Sequence, residues 1–225
     1  MFKNLIHLGF PNNCVGCNNA LVQNEKFICS SCFFFLPKGE LNIDKNSQSS
    51  QLLSESPSFI GASHLFDFDK NGKTQHLLHE LKYKSNTKLG VYLGELMGSD
   101  FQSSLLDIDY IVPVPLHPKK LYQRGYNQSE ILAKGISNII SKPVNTNNLI
   151  RIKNTETQTK KSKKARIENV KSAFSIKDIT LFDNKNILLI DDVMTTGSTL
   201  IECMKEIGKS KNVKIKVLAL ARALA

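Results

Sequence analysis

Tryptophan is absent from this sequence and aromatic residues make up only 8% of it, which counts against a dedicated platform for stacking nucleic-acid bases. Long apolar runs are missing too. No window approaches the uninterrupted length that spans a bilayer, so membrane insertion is not expected. The opening MFKNLIHLGFPNNC has too short an apolar run for a secretory signal, and a cytoplasmic protein is expected. Neither G-x-G-x-x-G nor G-x-x-x-x-G-K followed by Ser or Thr occurs, so dinucleotide-binding and P-loop readings have no support. No internal repeat is present. Acidic residues are outnumbered, 20 against 30 lysines and arginines, for a net charge of +10. That field attracts phosphorylated metabolites or nucleic acid, although a lysine-rich solvated surface gives the same balance.

What remains is ordinary for a globular protein: 41% hydrophobic and 22% charged residues. The 225 residues suit one main α/β domain with a small appendage. The appendage is marked by cysteines. Cys14, Cys17, Cys29 and Cys32 form two C-x-x-C pairs separated by eleven residues. Each pair can place two thiolates on one turn, and two facing turns complete a tetrahedral site for zinc. A disulfide pair is the alternative, disfavoured because nothing in the chain indicates export. Four thiolates leave no open position for a water nucleophile, so the metal is expected to be structural. Cys203 stands alone in a helical stretch and reads as a buried small side chain.

The stretch from Glu40 to Ser58 is rich in Ser, Asn and Gln and reads as a linker or surface loop, which sets a boundary near residue 57. The expected division is a cysteine module with linker over 1–57 and one domain over 58–225. In that domain, apolar extended runs alternate with helical periodicity. SFIGASHLFDF, YIVPVPL, ILLID and KIKVLALA read as strands; KTQHLLHELKY, LGVYLGELMGSDF, NQSEILAKGISNII and STLIECMKEIG read as helices. Such alternation argues a doubly wound, mostly parallel open sheet flanked by helices.

The chemistry concentrates in ILLIDDVMTTGSTL. Ile187 to Ile190 read as a central strand buried on both faces. Thr195, Thr196, Gly197, Ser198 and Thr199 then supply backbone N–H groups and a helix N-terminus for a phosphate. The bland alternative is that Ser198 or Thr199 is only a helix cap and Gly197 only a turn residue. Asp191 and Asp192 break the tie. Two carboxylates beside an anion cradle are costly unless the ligand carries both a phosphate and vicinal hydroxyls. A ribose 5-phosphate group satisfies both, with the carboxylates accepting hydrogen bonds from the diol.

The same stretch resembles the signature of type I phosphoribosyltransferases: an apolar strand, two acidic residues, the variable pair Val193 and Met194, and a Thr/Gly/Ser loop. Two further segments, VPVPLHPKKLYQRGYNQSEILAKGI and RIKNTETQTKKSKKARIENVKSAF, together with the four-cysteine module, resemble the ComF family of competence-associated proteins. The resemblance implies a type I phosphoribosyltransferase fold with a small N-terminal zinc-binding module. It also implies 5-phosphoribosyl 1-diphosphate (PRPP) as ligand, bound with magnesium.

By match to the family, Val114, Pro115, Leu116 and His117 form the loop that binds the diphosphate. Without that match, VPVP is only an irregular strand end, since proline cannot continue a ladder. Arg124 offers a fork of donors to a diphosphate oxygen, and Asn127 with Glu130 looks like a capping box. The resemblance makes TQTKKSKKARIENV, residues 157–170, with Gln158, Lys160, Lys161, Lys163, Lys164 and Arg166, the loop that closes over PRPP. A solvated face is the bland reading of that charge, and a contact for single-stranded DNA is another. Asp191 and Asp192 would orient the diol and stabilise the positive charge that develops on the ribosyl ring. The acceptor would supply the nucleophile. His64, His76 and His79 are candidate general acids or bases, although the spacing of the last two suits an exposed helix face.

The function implied is a PRPP-binding protein that supports handling of single-stranded DNA in natural transformation with other transformation proteins. Phosphoribosyl transfer to an acceptor would make it a glycosyltransferase. The competing classes are a non-catalytic PRPP sensor or DNA-binding adaptor, and a nucleotide-salvage phosphoribosyltransferase.

Overall fold

The apolar run Ile187 to Ile190 is wholly buried, which requires a layer of side chains on each face of its strand. The protein's structure, a computed structural model describing residues 12–54, 56–84, 86–153 and 172–223, supplies both layers. In chain order the elements used below are α1 (Ser30–Phe34), α2 (Gln48–Gln51), β1 (Phe59–Asp67), α3 (Lys73–Tyr83), α4 (Thr87–Asp100) and β2 (Tyr110–Pro113). They continue with α5 (Pro118–Arg124), α6 (Gln128–Ile140), β3 (Leu149–Arg151), β4 (Phe174–Ile176), β5 (Asn186–Met194), α7 (Ser198–Ile207) and β6 (Lys214–Arg222). The main sheet is parallel throughout, in the order β1-β6-β5-β2. β3 and β4 form a separate antiparallel pair that flanks residues 154–171.

One sheet face, through Leu188, Ile190, Leu218 and Leu220, packs on Leu77, Leu81, Leu93 and Leu132 of α3, α4 and α6. The other, through Ile187, Leu189, Ile215 and Val217, packs on Leu200, Cys203, Met204 and Ile207 of α7. Cys203 is thus the buried small side chain that its position implied. α4 and α6 meet backbone to backbone. A Cβ placed on Gly94 would lie 2.2 Å from the Leu132 carbonyl oxygen, and one on Gly135 would lie 2.2 Å from that of Val91. Neither oxygen can move without unwinding its helix, so this crossing depends on two glycines at the cost of their poor helix propensity.

SFIGASHLFDF is one strand, β1, with a register shift between Phe59 and Gly61. As an edge strand it leaves backbone groups open, and the serine-rich stretch expected to be a linker covers them. Ser47 Oγ donates to the Ala62 carbonyl (2.7 Å), Ser50 Oγ accepts from Ala62 N–H (2.8 Å), and Ser49 Oγ lies 2.7 Å from His64 Nδ1. Gly39 N–H donates to Leu65 O, and Asp67 N–H to Pro37 O. Ser49, Ser50 and Leu53 are fully buried. The polar composition that suggests a loop reflects side chains satisfying a sheet edge. Burial holds His64 below its usual pKa against the pull of Asp67, so it serves as a neutral link in this seam.

The cysteine module shares the apolar cluster of α3, α4 and α6 through Cys14, Ile28, Cys32 and Leu36. The Phe27 ring lies 5.5 Å from that of Tyr92 on α4. Residues on either side of position 57 are therefore packed together.

Candidate functional site

β2 and β5 pair only as far as Pro113 opposite Ile190. Val114 N–H still donates to the Ile190 carbonyl at 2.8 Å, and Pro115, with no N–H, ends the ladder there. β5 continues on its other side, with Asp191 opposite Ala219 and Met194 opposite Arg222 of β6. One edge of β5 is therefore open from Asp191 onward, at the carboxyl end of a parallel sheet, where α/β ligands bind. The strand runs through both aspartates instead of ending at them.

Consecutive residues of an extended strand diverge. Asp192 meets Lys82 of α3, with Nζ to Oδ2 at 3.0 Å. Asp191 accepts from Ser129 Oγ of α6 (3.2 Å) and from the Asp192 N–H (2.9 Å). Burial first, and then the Asp192 carboxylate, push Asp191 up to about 7, against the opposing pull of its donors and of Lys82. The folded chain thus keeps a proton on Asp191 that the unfolded chain loses near pH ~4. Its contribution to stability is present at low pH and is lost as pH rises through about 7. Asp191→Asn is therefore expected to raise Tm at pH 8 and to change it much less at pH 5, as read by thermal denaturation. At this chain length roughly 2–4 °C corresponds to 1 kcal/mol.

Past Met194, Thr195 is exposed and Gly197 turns the chain with φ 73° into α7. Gly197 itself is the cap residue, and no side chain caps the helix. Neither Ser198 nor Thr199 plays the capping role that the bland reading gave them; both lie in the first turn, and Ser198 Oγ is 2.9 Å from Thr196 Oγ1. The first turn of α7 lies beside a small recess bounded by Asp191, Val193, Met194, Thr195, Gly197, Ser198 and Thr199; of its N–H groups, that of Ser198 makes one long bond, to Thr196 Oγ1 at 3.5 Å.

Of the four residues matched to a diphosphate loop, Val114 commits both backbone groups: its carbonyl accepts from Asn127 Nδ2 at 3.0 Å. Pro115 has no N–H. His117 accepts from Lys119 N–H at 3.2 Å and caps α5. Leu116 and His117 thus provide the N–H groups of this loop. Asn127 also caps α6, accepting from Ser129 N–H at 3.1 Å. Arg124 Nη1 donates to Gln128 Oε1 at 2.8 Å, and its guanidinium lies 6.0 Å from the Tyr83 ring centre. Gln128 Nε2 is buried without a partner among the described residues. Burial, reinforced by the nearby cations of Arg151 and Arg124, lowers Lys120. Gln158 and Arg166, with the lysines around them, lie outside the described residues.

Four contributors were not legible in the sequence. Lys82 and Ser129 read as parts of ordinary helices, and Leu52 and Leu53 as part of a linker. A Cβ on Gly197 would lie 2.7 Å from Leu53 Cδ2 and 3.3 Å from the Leu52 carbonyl oxygen. That stretch therefore forms the wall behind the Thr/Gly loop.

The sulfurs of Cys14, Cys17, Cys29 and Cys32 all lie within 4.8 Å of one another, and all four thiols are free. Tetrahedral zinc with bonds of about 2.3 Å would need sulfurs about 3.8 Å apart; Cys17 and Cys29 are 3.8 Å apart. Burial opposes a thiolate at Cys14, but the N–H groups of Cys29, Cys17 and Gly16 outweigh it and lower Cys14 to about 7. The cluster is placed to hold a metal ion.

A family model for the phosphoribosyl transferase domain matches residues 127–225. Over 115 residues, 50% of each chain, the sequence is 43% identical to Competence protein F of Haemophilus influenzae. Over 153 residues, 66% of each chain, it is 28% identical to DNA utilization protein YhgH of Salmonella typhimurium. Over 147 residues, 64% of this chain and 58% of the relative, it is 31% identical to Competence protein ComFC of Bacillus subtilis. The matched regions span half to about two thirds of these curated relatives. With its parallel sheet and a phosphoribosyl transferase domain over residues 127–225, the chain has the type I phosphoribosyltransferase fold, and over half to two thirds of its length it is similar to competence and DNA utilization proteins.

Proposed function

We propose that the protein binds PRPP with magnesium at the open edge of β5, transfers the phosphoribosyl group to an acceptor, and acts in the handling of single-stranded DNA during natural transformation. One observation carries the ligand assignment: five residues after the carboxylates of Asp191 and Asp192 comes a helix N-terminus whose cap residue, Gly197, has no side chain to close it. In this reading the N–H groups of Thr195 to Thr199 hold the 5-phosphate, and the carboxylates accept from the ribose hydroxyls. The Leu116 and His117 N–H groups, with Arg124, face the diphosphate. The aspartates then stabilise the positive charge that grows on the ring as the diphosphate bond breaks. Magnesium suits a site of hard oxygens and would neutralise the leaving diphosphate.

The four-cysteine cluster holds structural zinc in this reading. The DNA role is supported by the named functions of the relatives and by a surface on the cysteine module. Phe34 and Phe35 are 81% and 66% exposed there. The Lys73 amine lies over the Phe35 ring and the Lys38 amine over Phe33, a mixture of rings and cations of the kind that single strands stack on.

PRPP with magnesium at about 100 times Kd should stabilise the protein by about 2.7 kcal/mol, which is roughly 5–10 °C in Tm at this size. Asp191→Asn with Asp192→Asn should abolish that shift. No shift in the wild type would overturn the ligand assignment. Release of diphosphate against a panel of base, amine and DNA acceptors tests the transfer step; binding without release would convert the protein to a PRPP sensor.

A further inference from the structure

The last turn of α3 is built into the site, although no motif marks it. Tyr126 OH donates to the Leu81 carbonyl, Tyr83 lies beneath Arg124, and between them Lys82 reaches Asp192 at 3.0 Å. The lysine side chain is 24% exposed and the aspartate 15%, so solvent screens this pair less than it screens a surface bridge. Among the described salt bridges it is the one made by either aspartate. Two adjacent carboxylates beside a phosphate cradle repel the ligand they are placed to orient. A cation fixed on one of them relieves that repulsion without touching the ligand.

We propose that Lys82 is a positioning residue of the phosphoribosyl site: through Asp192 it neutralises half of the carboxylate pair and so makes the site able to accept a phosphate. This rests on the PRPP reading above and adds an element of the fold that the signature does not contain. Lysine is the suitable residue, because its ammonium is a compact point charge on a flexible stem that can yield a carboxylate oxygen to a ribose hydroxyl while staying close. The anchoring of the preceding residue, buried Leu81, whose carbonyl accepts from Tyr126 OH, holds that stem in range.

The test is a double-mutant cycle read by isothermal titration with PRPP and magnesium, and separately with ribose 5-phosphate, which lacks the diphosphate. Lys82→Met is expected to weaken both ligands about tenfold, and Lys82→Arg to stay within threefold of wild type. In an Asp192→Asn background, Lys82→Met is expected to change affinity less than twofold, because the charge it answers is gone. Tm is measured for every variant. If Lys82→Met binds as wild type does, or costs as much in the Asp192→Asn background as alone, the proposal is overturned; the second result would place the ammonium on the ligand instead. If Lys82→Met is poorly folded, the same comparison between Lys82→Gln and Lys82→Arg decides. Failure of the wild type to bind either ligand is a separate outcome: it removes the PRPP reading, and the counter-ion role with it.

Discussion

Cys32→Ala is expected to dismantle the N-terminal module and to lower the stability of the whole chain, and chelation should do the same to the wild type. The cluster brings four sulfurs within 4.8 Å, and residues 12–36 have little regular secondary structure of their own. α1 is five residues long, the Cys14 N–H to Asn19 O bond closes a short turn, and the Val15 N–H to Phe27 O bond is one tie between the two cysteine-bearing segments. Structural zinc contributes apparent binding energies of about 10–16 kcal/mol in isolated zinc-finger peptides, far more than such turns provide. The effect should spread beyond the module, because Cys14, Ile28, Cys32 and Leu36 belong to the apolar cluster that covers α3 and α4. Their loss would expose Leu77, Leu81 and Leu89 from one side. A Tm lower by about 10 °C or more is expected for Cys32→Ala, a fall of at least 3 kcal/mol at this size. About one equivalent of zinc should be found in the wild type by elemental analysis. Less than half an equivalent after chelator-free purification, together with an unchanged Tm for Cys32→Ala, would remove zinc from the account.

Much of this molecule could be read from its residues, and what escaped has a common cause. β5, α7, α3 and α6 follow from apolar periodicity, which local sequence carries. The parallel sheet follows from their alternation. The seam between residues 37–53 and β1 escaped because serine hydroxyls have two uses, solvation in a loop and satisfaction of a sheet edge, and composition does not separate them. The short pair β3 and β4, three residues each, is too brief for a period to register. At the candidate site, the aspartates and the Thr/Gly loop were legible because they follow one another in a single segment of the chain. Lys82 was not, because it is more than a hundred positions away and is brought to Asp192 by the packing of α3. Arg124 stood out in the sequence as a candidate, but its tie to Gln128 depends on the turn at Gly125, where φ is 78°. Chemistry carried by one segment shows in its sequence; chemistry assembled across elements does not.

Gly197→Ala is expected to abolish ligand-dependent stabilisation, and its cause can be separated into two parts. The first is conformational: φ of 73° lies in the left-handed region, which costs an L-residue roughly 1–2 kcal/mol. The second is steric. The new methyl would lie 2.7 Å from Leu53 Cδ2 and 3.3 Å from the Leu52 carbonyl oxygen, and overpacking of that kind costs about 1–3 kcal/mol. Leu53 is fully buried in the cluster beneath α7, so it has little room to yield, and the turn should open instead. Opening it displaces the N–H groups at the start of α7 to which the 5-phosphate is assigned in the proposed function. Leu53→Ala alone should cost about 2–5 kcal/mol of stability as a cavity, while leaving the turn closed. Combining the two removes the collision and retains the dihedral cost, so the pair should be less destabilising than the sum of its parts. Ligand affinity should recover in part. Gly197→Asn should behave in the opposite sense: asparagine tolerates the left-handed conformation better, but its larger side chain meets the same leucine. Additive losses in Gly197→Ala with Leu53→Ala, read by thermal denaturation and titration, would show that residues 52 and 53 do not form the wall of the phosphate turn.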